Sequence, residues 1–277
     1  MIFAGYNTNG FAHHRLDEAA EIVAELGYRG LALTPDVHHL DPLEAKPRDV
    51  KAFAKKLESL GLTCVIETGA RFLLDPRRKH QPALVGLYPE RRMEFLRRCV
   101  RLAKALNAGV VSFWSGSPDD DAPPEVQLER LVVGCKSLAK YAATQGVRLA
   151  FEPEPGMTID TMPKFAALFA RVDHRAFGLT LDVGHLVCQH ELPVSQYLQA
   201  WNGVLWNIHI EDMRRGVHDH LPFGEGEVDF ADVFAGLRAA NYAGGVYVEL
   251  SRHSYDAVNA ARAAKRFLDG YLTPPAK

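Results

Sequence analysis

The chain has 277 residues, 47% of them hydrophobic and 24% charged, with a formal net charge of −2. This composition is ordinary for a globular protein with a large apolar core, and the near-neutral charge excludes a bulk electrostatic attraction to nucleic acid or to an anionic membrane. No stretch approaches the roughly 18 consecutive apolar residues of a membrane span, and the N-terminus lacks a signal-peptide pattern. The four cysteines are widely spaced, so we expect a cytoplasmic protein without disulfides.

Eight short segments rich in β-branched and aromatic residues alternate with eight longer segments of helical periodicity. In the first helical segment, Leu16, Ala20 and Val23 recur on one face. Strand cores such as residues 149–151 are apolar on both sides, as in parallel sheets. The predicted strands are Ile2–Asn7, Gly30–Thr34, Thr63–Glu67, Val110–Trp114, Val147–Glu152, Gly178–Asp182, Val204–Ile210 and Gly245–Leu250. The predicted helices are Leu16–Leu26, Arg48–Leu60, Pro89–Leu106, Pro124–Gln145, Met162–Val172, Val194–Trp201, Phe230–Ala240 and Tyr255–Tyr271.

The repeated strand–helix unit restricts the fold to two architectures. Eight units average about 35 residues each, the span that a parallel β-α-β crossover needs, and α/β barrels of about 250 residues form single domains. A doubly wound open sheet would be favoured by a G-x-G-x-x-G turn after the first strand, but that segment reads NTNGFAHH. We therefore predict a single-domain α/β fold, a (β/α)8 TIM barrel over residues 1–272, followed by a tail at 273–277.

Two connections are long for a compact barrel, at residues 68–88 after the third strand and at 214–229 after the seventh. Both follow strands, so they lie on the C-terminal face of the predicted barrel, where barrel enzymes have their active sites. Long loops on such a scaffold are often functional.

Ionisable residues end four consecutive predicted strands, the fifth to the eighth. Glu152, Asp182, His209 and Glu249 are separated by 30, 27 and 40 residues, one strand–helix unit per step. Singly, each has an ordinary explanation: a glutamate can pair with an arginine, an aspartate can cap a helix, and a histidine can belong to the core. Together, three buried carboxylates and an imidazole at one height of a barrel would repel each other and lose solvation unless a cation compensated them. The pattern predicts one divalent metal ion, with mixed oxygen and nitrogen ligation that suits Mn²⁺, Co²⁺, Mg²⁺ or Zn²⁺.

The motifs around these residues resemble those of a known superfamily. They are FEPEP with Glu152, LDVGH with Asp182 and His185, NIHIED with His209, HLPFGEGEVDF at 220–230 and VELS with Glu249. In this combination the chain resembles the xylose-isomerase-like barrels, which include sugar phosphate isomerases and epimerases, ketose 3-epimerases, inosose and dehydroshikimate dehydratases, and apurinic-site endonucleases. The resemblance covers the second half of the chain well and the first half mostly by architecture.

Within that superfamily, the resemblance to the epimerase branch implies specific roles. Glu152, Asp182, His209 and Glu249 would bind one metal ion, Glu152 and Glu249 would also act as the two acid/base catalysts, and His185 would hydrogen-bond a substrate oxygen. The endonuclease branch uses further histidines at the ends of strands two to four. Here the third strand ends IET and the fourth FWS, so that activity is disfavoured.

The chemistry implied by this site is proton transfer next to a carbonyl. A metal that chelates adjacent oxygens of a hydroxy-ketone stabilises an enediolate, while one glutamate removes the C–H proton and the other returns a proton. We predict an isomerase or epimerase of carbohydrate metabolism that acts on a sugar or a sugar-like ketose. The alternative is a metal-dependent dehydratase of a keto-polyol, which would change the substrate mass. An apurinic-site endonuclease and a non-catalytic sugar-binding barrel are less favoured.

Other polar and aromatic residues are candidates for substrate binding. Arg71 and His80 belong to a basic loop that could bind a carboxylate or phosphate, although a solvated loop needs no function. Trp114 and Phe72 could form an apolar wall. The full set of candidate substrate-binding residues is His185, Glu67, Arg71, His80, Trp114, Glu211 and His220.

A neighbouring pair of acids has a different expected role. Glu211 and Asp212 are expected to orient His209 or to hold a second, weakly bound ion. The expected partner of the chain is a small carbohydrate-like molecule, without nucleic acid or membrane, and the sequence leaves homo-oligomerisation open. It names neither the sugar nor its phosphorylation state.

Overall fold

Eight parallel strands close into a barrel in the computed structural model, which describes residues 1–272; the predicted tail at 273–277 lies outside the described residues. The barrel order is β1-β10-β7-β6-β5-β4-β3-β2, so the strands follow one another around the barrel in chain order. The two remaining strands, β8 and β9, form a separate antiparallel pair. The strands are β1 Phe3–Asn7, β2 Gly30–Leu33, β3 Thr63–Glu67, β4 Val110–Phe113, β5 Arg148–Phe151, β6 Phe177–Asp182, β7 Leu205–Ile210, β8 Asp212–Arg214, β9 Val217–Leu221 and β10 Gly245–Val248.

Helices follow the barrel strands and form the outer layer. None of the helices within residues 1–272 is long and apolar enough to cross a membrane. They are α1 Leu16–Glu25, α2 Pro47–Leu60, α3 Glu90–Ala105, α4 Pro124–Gln145, α5 Met162–Val172, α6 Val183–Cys188, α7 Val194–Ala200, α8 Phe230–Ala239 and α9 Ala257–Leu272.

The predicted barrel is confirmed, with some differences at the element ends. The last helix begins at Ala257 rather than at Tyr255, because residues 254–256 form a 3-10 turn. Three further elements were not predicted: the 3-10 helix Thr8–Phe11, the short helix α6, and the β8–β9 hairpin, whose second strand lies within the long connection expected at 214–229.

Helix ends follow local backbone chemistry. Pro47 and Pro124 begin α2 and α4, where the fixed φ of proline suits the first turn and its missing N–H is not needed. Gly61 and Gly146 end the same helices with φ of 65° and 72°, a left-handed conformation that glycine adopts without a Cβ penalty. These residues fix where each chain segment turns back into the next strand.

The lower half of the barrel interior is apolar. Ala32, Val65, Val110, Ala150 and Tyr247 form a cluster separate from the strand–helix core. The Tyr247 ring packs against Gly5 of β1 and Gly30 of β2. A Cβ at either glycine would overlap the ring, so both positions need a residue without a side chain. These five residues, called the Tyr247 plug below, fill one end of the barrel interior. Polar side chains occupy the other end.

Strand alternation carries polar residues to the upper interior. Residues two positions apart point to the same side of a strand, so Glu67 follows Val65, and Glu249 follows Tyr247. Between the Tyr247 plug and the mouth lies a polar layer in which Thr180 Oγ1 of β6 donates to Ser112 Oγ of β4 at 2.8 Å, inside the barrel past β5. The C-terminal ends of the strands therefore present ionisable groups inward.

An aromatic cluster joins the strands to α5 in the outer layer. Phe165 is fully buried, and its ring centroid lies 5.0 Å from that of Trp201 and 6.1 Å from that of Phe151. Aromatic pairs at these separations add to the stability gained from burying their large apolar surface.

Truncating this cluster should destabilise the barrel. We expect Phe165→Ala to lower the free energy of unfolding by about 3–5 kcal/mol, because it removes buried surface and leaves a cavity. Equilibrium urea denaturation followed by circular dichroism measures this. Phe72→Ala is the control, since Phe72 is 50% exposed and should change the free energy of unfolding little. A loss below about 1 kcal/mol for Phe165→Ala would contradict the assigned packing.

Candidate metal centre

Four predicted ligands meet at the C-terminal mouth of the barrel. Asp182 ends β6 and is in register with His209 of β7. Glu152 directly follows β5, and Glu249 directly follows β10. One potential ligand atom from each of the four residues lies within 4.8 Å of all the others. The geometry required of a shared metal site is therefore present.

The imidazole of His209 is the centre of the cluster. Its Nδ1 lies 2.9 Å from Glu152 Oε1, 3.1 Å from Glu249 Oε2 and 3.9 Å from Asp182 Oδ2. Nδ1 is therefore the ring nitrogen that faces the three carboxylates and would be the ligand atom for a metal.

The other ring nitrogen of His209 faces a fourth carboxylate. Nε2 lies 2.9 Å from Glu67 Oε1, and the same oxygen accepts a 2.9 Å hydrogen bond from Asn207 Nδ2. A carboxylate in this position fixes the tautomer and ring orientation of a metal-binding histidine and raises its basicity. Burial would lower the pKa of His209, but the carboxylates of Glu67, Glu152 and Glu249 outweigh burial and raise it well above the usual value.

The carboxylates themselves have shifted pKa values. Burial raises the pKa of Glu152 to about 8, although His209 opposes the shift. Burial also acts to raise the pKa of Asp182, but the imidazoles of His185, His220 and His209 together hold it below its usual range. Shifts of this kind mark sites where charges are concentrated for a function.

The side chain of Asp182 has two different roles. Its Oδ1 accepts a 2.8 Å hydrogen bond from the backbone N–H of His185 and so caps α6. This is the helix-capping role that an aspartate at this position can have without any metal. Its Oδ2 is buried and has no hydrogen-bond partner among residues 1–272. A buried carboxylate oxygen without a partner is costly, and a cation would remove that cost. The donor set of three carboxylates and one imidazole therefore fits a divalent metal ion.

A cavity of about 300 Å³ opens above these residues. Six of the seven candidate substrate-binding residues line it, and Glu211, which is fully buried, is not among the lining residues. The predicted substrate residues in the lining are Glu67, Arg71, His80, Trp114, His185 and His220. Of these, Glu67 already uses its Oε1 in contacts with Asn207 Nδ2 and His209 Nε2. That oxygen therefore supports the imidazole, although Glu67 also lines the cavity.

One wall of the cavity comes from the long loop after β3. Arg71 donates from Nη2 to the backbone oxygen of Asn9 at 3.2 Å, which ties this loop to the segment after β1. The Trp114 ring lies 5.0 Å from the His80 ring and 4.9 Å from the Arg92 guanidinium. Burial lowers the pKa of His80 to about 3, so its ring is neutral in this wall. Phe72 was also expected to form the wall, but it is 50% exposed and does not line the cavity.

His185 is held at the edge of the cluster by one hydrogen bond at each ring nitrogen. Its Nδ1 lies 3.0 Å from the backbone oxygen of Pro153, so Nδ1 carries the proton. Its Nε2 lies 3.1 Å from His218 Nε2, on the unpredicted β8–β9 hairpin. Burial lowers the pKa of His185, so the ring is neutral and can exchange hydrogen bonds with a polar ligand.

Several site residues were missed in the sequence. Asn9 donates from Nδ2 to Glu249 Oε1 at 2.7 Å and orients that carboxylate. Glu154 lines the cavity, and burial together with Glu152 raises its pKa well above the usual value. A period-two pattern could have found Asn207, which precedes His209 by two positions, but no sequence pattern brings Asn9 to Glu249.

The expectation for Asp212 is not met. Its Oδ1 accepts hydrogen bonds from the backbone N–H groups of Met213 and Val228 at 3.0 and 3.1 Å, and its Oδ2 accepts one from Gly224 at 2.8 Å. Both carboxylate oxygens of Asp212 are thus bonded to backbone N–H groups, and the residue stabilises the loop after the hairpin.

Comparison with known proteins places these observations in a family context. The family model described as a xylose isomerase-like TIM barrel matches residues 20–271. Inosose dehydratase of Lacticaseibacillus casei is 25% identical over 177 residues, which cover 56% of this chain and 59% of that protein. L-ribulose-5-phosphate 3-epimerase of Salmonella paratyphi C is 26% identical over 158 residues, which cover 57% of this chain and 55% of that protein. The matched region thus spans less than two thirds of the length of these curated relatives.

Solved structures share the fold over nearly the whole chain. D-allulose 3-epimerase from Methylomonas sp. superposes with a TM-score of 0.77 at 20% identity and 98% coverage of both chains. The IolI protein, whose structure holds a zinc atom, superposes with a TM-score of 0.79 at 15% identity and 98% coverage of both chains.

The Glu67 carboxylate should tune the metal affinity of this centre. We expect Glu67→Gln to weaken Mn²⁺ binding about 10–100-fold, because the amide no longer fixes the ring of His209 or raises its basicity. Isothermal titration of metal-free protein with Mn²⁺ measures the dissociation constant. Glu58→Gln, an exposed change of the same kind on α2, is the control. An unchanged dissociation constant in Glu67→Gln would show that Glu67 does not support the metal site.

Proposed function

The chain belongs to the xylose isomerase-like TIM barrel family, and from this premise we propose that it is a divalent-metal-dependent isomerase or epimerase of sugars or sugar-like ketoses. The observation that carries the proposal is the convergence of Glu152, Asp182, His209 and Glu249 at the C-terminal mouth of the barrel. All of them except Asp182 line the polar cavity. The 3-epimerases among its relatives and structural neighbours support it.

The four converging residues would hold the metal ion. Oxygen and imidazole ligands of this kind suit Mn²⁺, Co²⁺, Mg²⁺ or Zn²⁺, and the zinc in the IolI structure supports a divalent ion here. Bound there, the ion would polarise the carbonyl of a hydroxy-ketone and acidify the neighbouring C–H bond.

Glu152 and Glu249 are the proposed acid/base pair. They follow strands β5 and β10, on different sides of the barrel mouth, and approach His209 Nδ1 at 2.9 and 3.1 Å. One carboxylate takes the proton from the substrate carbon, and the other returns a proton to the opposite face or to the adjacent carbon. Asn9 holds Glu249 in place, while the burial that raises the pKa of Glu152 makes that group a stronger base.

The remaining cavity residues would orient the substrate. His185 can bond a hydroxyl or carbonyl oxygen through its ring. Arg71 and Lys79 give one wall of the cavity a positive charge suited to an anionic or polyhydroxylated end of the substrate. Trp114 offers an apolar surface to the carbon chain.

A dehydratase is the second candidate function. The similarity to the inosose dehydratase of L. casei favours it, and the same abstraction of a carbon-bound proton begins an elimination. The two reactions differ in mass, since only the dehydratase product is lighter than its substrate by one water.

Solvent deuterium should enter the substrate carbon next to the carbonyl. A panel of ketoses and inososes is incubated with Mn²⁺-loaded enzyme in D₂O and followed by NMR and mass spectrometry. A carboxylate that has taken a proton exchanges it with water, so turnover should place deuterium on carbon, with unchanged heavy-atom composition for an isomerase or epimerase. Turnover without deuterium on carbon would point to a hydride shift and would exclude the proposed two-base mechanism.

Neutralising one base should separate chemistry from binding. We expect Glu249→Gln to lower kcat about 10²–10⁴-fold, the contribution of a positioned acid/base group, with a much smaller change in substrate affinity. Turnover is measured at saturating Mn²⁺ with the bound metal quantified, so that loss of the ion is not mistaken for loss of the base. Glu225→Gln, an exposed change near the same barrel face, is the control. Near-normal kcat in Glu249→Gln would rule out Glu249 as a base.

A further inference from the structure

One charged side chain is buried behind the wall of the cavity. Arg92 lies in the first turn of α3 and is only 2% exposed. Burial lowers its pKa to about 10, so the guanidinium stays charged at neutral pH. Its hydrogen bonds go to backbone oxygens, and no salt bridge to a carboxylate of residues 1–272 accompanies them. Since a buried charge is costly unless its surroundings compensate it, these surroundings show what Arg92 does.

The guanidinium of Arg92 donates to three backbone oxygens of one segment, residues 68–82, called the wall segment below. Nη2 donates to the oxygen of His80 at 2.8 Å and Nε to that of Pro82 at 2.9 Å. Nη1 donates to the oxygen of Thr68 at 3.4 Å. Thr68 and His80 both line the cavity. A single buried side chain therefore holds the wall segment near both of its ends.

Two aromatic rings enclose the same guanidinium. Its central carbon lies 4.9 Å from the centroid of the Trp114 ring and 5.5 Å from that of the Phe95 ring, distances at which a cation is attracted to a ring face. The Trp114 ring in turn packs against the His80 ring, with 5.0 Å between the centroids. Arg92 thus contacts both the backbone of His80 and the ring against which the His80 side chain packs.

The wall segment has an unusual backbone conformation. Ala70 and His80 have φ of 48° and 66°, in the left-handed region that residues with a Cβ rarely adopt. Such conformations persist only where the surrounding structure enforces them, and they cluster at ligand-binding sites. Both backbone groups of His80 are bound, because its N–H donates to the oxygen of Arg71 at 2.7 Å and its oxygen accepts from Arg92. The conformation that brings His80 to the cavity therefore depends on Arg92.

We propose that Arg92 is a positioning residue: it holds the wall segment in one conformation and so places His80 and Trp114 against the substrate. Its role toward a substrate rests on the proposed function, whereas the fixed wall rests on the contacts of Arg92 alone. The wall segment is a preformed part of the cavity rather than a lid that closes on binding. A preformed wall favours affinity, because less ordering is needed when the substrate binds.

A second arginine of the same helix offers a matched control. Arg98 of α3 donates from Nη1 to the backbone oxygens of Pro42 and Leu43 at 3.4 and 3.1 Å, and it forms a salt bridge with Glu94. None of these four residues lines the cavity. Arg98 therefore ties a different loop to α3 by bonds of the same kind, away from the proposed substrate.

Limited digestion with trypsin tests whether Arg92 holds the wall. The wall segment contains three exposed cleavage sites, Arg77, Arg78 and Lys79, and cleavage there requires local opening of the chain. We expect Arg92→Met to be cut at these sites at least about tenfold faster than the wild type, because it loses hydrogen bonds made by a charged group. Arg98→Met should be cut there at the wild-type rate. Fragment masses identify the sites.

A gentler substitution covers the case in which the methionine variant does not fold, as circular dichroism would report. Lysine at position 92 keeps the positive charge but lacks the planar fork that reaches three oxygens. We therefore expect Arg92→Lys to be cut at residues 77–79 faster than the wild type as well.

Steady-state kinetics tests whether the held wall serves the substrate. With Mn²⁺ saturating and the substrate identified by the D₂O panel, we expect Arg92→Met to raise KM about tenfold and to leave kcat within about threefold, because the wall binds substrate without moving the proton. Arg92→Lys should recover part of the lost affinity, and Arg98→Met should keep the wild-type KM. A merely structural role would reduce the amount of folded enzyme and leave KM unchanged.

The two measurements separate this inference from the proposed function. Equal cleavage rates at residues 77–79 in the wild type and Arg92→Met would overturn it, and so would faster cleavage with an unchanged KM. A wild type that turns over no member of the panel, but whose wall segment is cut faster in Arg92→Met, would support the fixed wall while removing the proposed function.

Discussion

The barrel mouth depends on the concentration of carboxylates around one imidazole. Glu67 faces Nε2 of His209, and Glu152 and Glu249 face Nδ1, all within about 3 Å. Two like charges about 4 Å apart repel by about 4 kcal/mol at the effective dielectric of a protein, so carboxylates that are ionised together at this mouth destabilise one another. A divalent cation at Nδ1 would offset such repulsion, and it would engage the buried Asp182 oxygen that has no hydrogen-bond partner among residues 1–272.

The rest of the fold keeps this arrangement rigid. The Tyr247 plug and the polar layer at Thr180 and Ser112 fill the barrel below the site, so the strand ends cannot move inward. Register then sets the height of the ligands, since Asp182 pairs directly with His209. Loops add the other polar groups: the segment after β3 brings basic groups to the cavity, and the β8–β9 hairpin brings histidines. The scaffold thus separates the proposed metal ligands, at strand ends, from the groups that would select a substrate.

The sequence predicts those parts of this structure that depend on regular periodicity. Eight strand–helix repeats and ionisable residues one repeat apart were enough to predict the closed barrel and to select four residues that do converge. The hairpin was missed because its half-buried segment VHDHL has too few apolar residues for a strand pattern. Contacts such as Asn9 to Glu249, 240 residues apart, arise from barrel closure and have no local signal. The different environments of Glu211 and Asp212 depend on backbone donors that sequence spacing does not reveal.

The central claim is that Glu152, Asp182, His209 and Glu249 bind one divalent ion together. Anomalous diffraction from crystals grown with Mn²⁺ tests it most directly, because the manganese signal locates the ion independently of any reaction. We expect a peak about 2.0–2.6 Å from His209 Nδ1 and from a carboxylate oxygen of each of the other three residues. A fully occupied peak elsewhere, with none among these four side chains, would contradict it.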